Sequence, residues 1–177
     1  MFIHTADAPF DANNRLLAYV APDYSPAERR AMTRAQRATF NLDLIANGWA
    51  APFIIYPSIP GELDLPLLVE AAADARAKPL GIWAEPMTLL GYEYRAMEKL
   101  FHITRRIVNG QDLPPEQARG WRERYCADMR SRTLHGPEDY FSTPPEYRLW
   151  IWPQDLRQAV STLNLSPARQ LVTPPAG

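Results

Sequence analysis

Arg15 follows an Asn13-Asn14 pair and opens the run Leu16-Leu17-Ala18-Tyr19-Val20, four residues after Asp11. A guanidinium at the mouth of a strand offers a planar fork of donors that matches two oxygens of a phosphate or carboxylate. The residue type therefore fits anion recognition, and taken alone it reads equally as a solvated strand-end arginine. A second candidate is the segment RGWRERYCADMRSR, Arg119 to Arg132, where five arginines interleave with Trp121 and Tyr125. Arginine plus stacking rings suits nucleic acid or phosphate. Glu123 and Asp128 dilute that patch, however, and the aromatics fall on an apolar stripe, so the segment reads first as the solvated face of an amphipathic helix. His4, His102 and His135 share no ligand spacing, which argues against zinc. Cys126 has no His or Asp at motif distance and reads as a small buried hydrophobe.

The elements that must hold these residues are short and punctuated by 18 prolines. Arg15 to Val20 reads as a strand. Ser25 with Glu28 three residues on forms a capping box, and Pro26 suits the first helical position, so a nearly all-polar helix is predicted from Pro26 to Ala38. TFNLDLIANG predicts a second short helix with Phe40, Leu44 and Ile45 on one side and Asn47-Gly48 as its stop. WAAPFIIYP predicts a short buried strand. Asp64 is placed to cap a helix running to Lys78, with Leu67, Leu68, Ala71, Ala72 and Ala75 as its apolar stripe. Beyond Thr88, Tyr94, Met97, Phe101 and Val108 recur at helical spacing, and Ala118, Trp121, Tyr125 and Met129 predict a further helix. EYRLWIWP suits a strand or a half-buried helix. PQDLRQAVSTLNL predicts a closing helix, with disorder expected over the last ten residues. A boundary near Pro86 divides residues 1–86 from a mostly helical extension, 87–177.

The 177 residues suffice for one sizeable domain, or a small one with an appendage. A formal net charge of −1 supplies no global field toward nucleic acid or membrane. All but Lys78 and Lys99 of the 19 cations are arginine, a bias that genome composition also produces. One cysteine excludes an internal disulfide. No apolar run approaches the ~20 residues of a membrane helix, and MFIHTADAPF has neither the basic nor the apolar region of a signal peptide. The cytoplasm is the default compartment, with no membrane partner expected.

Taken in order, DANNRLLAYV, NLDLIANGWAAPFIIYP and LVEAAADARAKPLGIWAE resemble the thermonuclease (staphylococcal nuclease-like) family. Asp11, Arg15, Leu17, Ala18 and Tyr19 match its Asp-x-x-x-Arg and Leu-Ala-Tyr pattern. Asn41, Gly48 and Ala50, then Tyr56-Pro57, then Gly81-Ile82-Trp83, match in sequence order. The resemblance covers Asp11 to Glu85, the second half of the family's domain. It implies an α+β fold, a partial OB-type barrel with packed helices followed by the helical extension. It also implies calcium-dependent phosphodiester hydrolysis of DNA or RNA, in which the metal and two arginines neutralise charge on the phosphoryl oxygens and a glutamate assists water.

Under that resemblance Arg15 is one of the two catalytic arginines, an oxyanion clamp. Tyr56 matches a pocket tyrosine that holds the nucleotide, while Ile54 replaces a second one. Asp11 matches a substrate-side position near the arginine and not a metal ligand. The calcium carboxylates, the other arginine and the glutamate belong to the family's first half, for which only Asp7 and Asp11 precede Arg15 as acids. The resemblance thus implies an incomplete catalytic set, no metal ligand in this chain, and little or no nuclease activity alone. Its implied partners are nucleic acid, a complementing N-terminal segment, or a second copy that completes the barrel across exposed strand edges. The competing expectation is a non-catalytic module that binds nucleic acid or protein.

Overall fold

The computed structural model describes residues 1–10, 14–61 and 63–168. The chain is α+β and divides into two units, Met1–Tyr94 and Arg95–Gly177.

The first unit opens with an antiparallel pair, β1 (Phe2–Phe10) and β2 (Leu16–Ala21), in which Phe2 faces Ala21 and Thr5 faces Ala18. The register shifts before Phe10 meets Leu16. Asn14 has φ 60, a left-handed conformation that asparagine tolerates better than most residues, and it delivers the chain into Arg15. The Val20 amide donates to Asn41 Oδ1 at 3.2 Å. A side-chain carboxamide thereby satisfies a backbone donor of β2 and blunts that part of the strand edge.

Helix α1 (Pro26–Ala31) has the expected capping box: Glu28 N donates to Ser25 Oγ at 3.3 Å, and Ser25 N to Glu28 Oε2 at 2.8 Å. It stops seven residues short of the predicted end at Ala38. The reason is a second reciprocal pair, Thr33 N to Gln36 Oε1 (2.8 Å) and Gln36 N to Thr33 Oγ1 (3.2 Å). That pair starts a separate 3-10 turn, Ala35–Arg37. Helix α2 (Phe40–Ala46) follows as predicted, but only Ile45 of its predicted face is buried; Phe40 and Leu44 are exposed. After β3 (Ile54–Ile55), with a cis peptide between Tyr56 and Pro57, comes α3 (Leu65–Ala77). Ile45, Leu68 and Ala72 form its core against α2, flanked by Leu42, Ala50 and Ala71.

Gly48 and Gly81 explain themselves together. Both have positive φ, 70 and 52, and Ile82 N donates to Gly48 O at 2.8 Å. A Cβ on either glycine would collide with the other's backbone segment, so close approach and left-handed geometry both demand glycine. Gly81 then starts a 3-10 turn through Ala84 that contains Trp83.

Helix α4 (Gly91–Val108) crosses the division between the units. In the second unit a short helix α5 (Pro115–Ala118) precedes β4 (Tyr125–Asp128). β4 is flanked by β6 (Arg148–Ile151) on one side and β5 (Thr133–His135) on the other, both antiparallel, and β7 (Ser166–Pro167) adds parallel to β5. Helix α6 (Leu156–Leu163) buries Ala159.

The helix predicted through Ala118, Trp121, Tyr125 and Met129 is therefore corrected. Turns at Gly120 and Arg122 end α5, and Tyr125–Asp128 pairs on both edges with Cys126 and Ala127 fully buried. A strand buried on both faces does not alternate, so helical spacing there was coincidental. The EYRLWIWP stretch resolves in favour of a strand, every residue of β6 being buried. The extension is thus mixed sheet and helix, not mostly helical. Of the ten tail residues predicted to be disordered, Ala168 is described and donates its amide to Leu134 O at 2.8 Å; the other nine lie outside the described residues.

Candidate functional site

Arg15 sits exposed at the entrance to β2, between the left-handed Asn14 and the ladder that starts at Leu16. Four positions further along, Tyr19 is half-buried. Burial, and then the charge of Asp64, push its phenol above the ordinary tyrosine value, so it is a neutral hydroxyl at physiological pH. Asp64 heads α3 but does not cap it. Its carboxylate instead accepts Arg34 Nε at 2.8 Å and Arg34 Nη2 on the second oxygen. Strand β2, the link after α1 and the start of α3 thus converge on a Tyr19, Arg34, Asp64 cluster.

Sequence reading missed this cluster. Arg34 belongs to a run of polar residues and Asp64 to a helix start, thirty positions apart. No local pattern pairs them.

Tyr56 is 6 % exposed, while Arg15 is exposed to solvent. Asp11 lies outside the described residues. Trp83 is half-buried and its indole Nε1 is enclosed without a hydrogen-bond partner.

Calcium takes six to eight oxygen ligands, several of them carboxylates. Among the described residues no group of three or more His, Cys, Asp or Glu is arranged to hold a metal, and Asp64 is already engaged by Arg34. The described residues do not fit a calcium shell, and no step is assigned to the metal.

The arginine-rich segment of the second unit is not a helix face. Arg124 lies over the rings of Trp150 and Trp152 (5.7 and 5.2 Å), its side chain 12 % exposed. Arg130 lies 4.5 Å over Tyr147 and binds Asp128 through Nε at 3.2 Å and Nη2 at 2.8 Å. Burial opposes the charge on Asp128, but the Arg130 side chain and the Arg130 and Ser131 amides outweigh it and hold the carboxyl below its ordinary value. Arg122 covers Trp121 and reaches Glu138 at 3.6 Å. These guanidiniums serve the unit's own rings and acids. Arg119, Arg122, Tyr125, Glu138 and Asp139 line an open cavity of about 530 Å³ with both signs of charge. Cys126 is fully buried, its thiol pushed up to about 12 by burial, so it is no nucleophile at neutral pH.

This α+β chain shares sequence similarity with a nuclease. The relative is the endonuclease YhcR of Bacillus subtilis strain 168, 31% identical over 85 residues. That stretch covers 47% of this chain, and the chain spans only about 7% of the length of that relative. No protein-family model and no solved structure matches the chain.

Proposed function

We propose that the first unit is a nuclease-type phosphodiester-binding domain that grips nucleic acid through Arg15. The observation that carries this is the similarity to an endonuclease, joined to an exposed arginine fixed where a left-handed turn enters β2. In this reading residues 1–86 correspond to the second half of a thermonuclease domain, with β1 and β2 belonging to a partial OB-type barrel, and residues 87–177 are its extension.

The Arg15 guanidinium donates to two non-bridging phosphate oxygens and neutralises the charge there. By the family resemblance Asp11, four residues upstream in sequence, is assigned to substrate binding, and Tyr56 to the nucleotide pocket. Activation of water needs a carboxylate set, and the described residues do not gather one. In this reading the chain by itself binds nucleic acid and does not hydrolyse it. DNA and RNA both present the phosphodiester, so neither is favoured.

The test is fluorescence anisotropy with labelled single-stranded DNA and RNA across a salt series, with the same samples run on denaturing gels in calcium. The expected result is binding that weakens linearly in log salt with intact oligonucleotide. Binding independent of salt, or calcium-stimulated cleavage by this chain, contradicts the proposal.

A further inference from the structure

Helix α4 carries more apolar surface than its own unit covers. From Arg95 onward, Ala96, Leu100 and Ile103 are half-buried. Met97, Phe101 and Val108 instead stand 50%, 61% and 77% exposed. Together with Thr104 they are spaced by alternating steps of four and three residues, the period of a helix–helix seam. The seam is bordered on one side by Glu98 and Arg105, one heptad apart and opposite in sign.

We propose that this seam is a self-association surface, and that its occupant is α4 of a second copy running antiparallel. An antiparallel register that sets Met97 opposite Val108 of the second copy sets Phe101 opposite its Thr104. The same register brings Glu98 beside Arg105 of the second copy, and two-fold symmetry repeats the contact. A parallel pairing would bring the two Glu98 side chains to one level and the two Arg105 to another, with no attraction across the seam. Lys99 does not compete for this role, because it is ion-paired with Glu123 within its own chain. The charge order along the seam therefore selects both the partner and its direction.

Two helical heptads bury less than the ~1,200 Å² of a standard stable interface, so the dimer is weak and concentration-dependent. This face is separate from the strand edges of β1 and β2, and the inference does not depend on nucleic-acid binding.

Sedimentation equilibrium of the intact chain over a wide concentration range tests it. The mass is expected to rise from monomer toward dimer. Phe101→Glu abolishes the rise while circular dichroism stays unchanged, since that side chain is exposed. Glu98→Arg and Arg105→Glu each weaken the dimer several-fold, and the double swap restores it. The proposal is overturned by a monomer at every concentration, by a dimer indifferent to Phe101→Glu, or by a double swap that fails to rescue. It is equally overturned if the monomer instead binds phosphatidylcholine–phosphatidylserine vesicles through Phe101.

Discussion

Arg34 and Asp64 form a two-pronged ion pair, Nε to Oδ1 at 2.8 Å and Nη2 to Oδ2, that ties the link after α1 to the first turn of α3. Both side chains are nearly half exposed, 46% and 44%, so the pair contributes on the order of 0.2–1 kcal/mol. It also holds in place the carboxylate whose charge acts on the Tyr19 phenol.

That arrangement has a titration signature. The Asp64 charge raises the Tyr19 phenol in addition to the effect of burial. Asp64→Asn is expected to lower the Tyr19 value part of the way toward that of free tyrosine, leaving the burial contribution. Tyrosine-labelled NMR against pH, with Tyr19→Phe to assign the resonance, measures this. An unchanged or raised value would mean that Asp64 does not act on Tyr19.

Gly48 meets the backbone before Gly81 with φ 70, and a Cβ has no room there. Gly48→Ala is expected to cost about 1–2 kcal/mol from left-handed strain alone, with steric displacement adding to it. Gly61→Ala, where a Cβ meets nothing, serves as the control. Chemical denaturation of the two variants should separate them clearly; equal midpoints would refute the close-approach explanation.

Asp128 provides the pH dependence of the second unit. Its folded value lies below the ordinary one, so its contribution is fully present above the unfolded value of about 3.9. It is lost as pH falls through the lower folded value. Asp128→Asn removes charged hydrogen bonds from Arg130 (N 2.8 Å, Nη2 2.8 Å) and is expected to cost about 1.5–3 kcal/mol at neutral pH. Urea unfolding of both proteins should show that difference at pH 7 and its disappearance in acid. A difference independent of pH would assign the effect to shape and not to charge.

What could be read from the sequence was local. The Ser25–Glu28 capping box spans three residues, the α3 stripe repeats within two turns, and Asn47-Gly48 stops α2 where it stands. What could not be read depended on distant partners or on competition. Thr33 and Gln36 offered a second cap that broke α1 early. Asp64 had two uses, cap or counterion, and Arg34 thirty positions away decided between them. Tyr125 to Asp128 lost its alternation because the consecutive residues Cys126 and Ala127, which point to opposite faces, are both buried. Arg15 was legible by type and spacing, and the structure supplies its exposed strand-entry position. The Tyr19 cluster beside it needed the fold.

Arg15 therefore carries the central claim. Equilibrium binding of a labelled single-stranded oligonucleotide at low salt, compared among the wild type, Arg15→Lys and Arg15→Ala, tests it most directly. Loss of a charge-assisted hydrogen bond to phosphate is worth about 1.5–3 kcal/mol, so Arg15→Ala is expected to bind roughly tenfold or more weakly. Arg15→Lys should fall between, because it keeps the charge and loses the fork. Equal affinity for all three would contradict the assignment of Arg15 as the phosphate clamp.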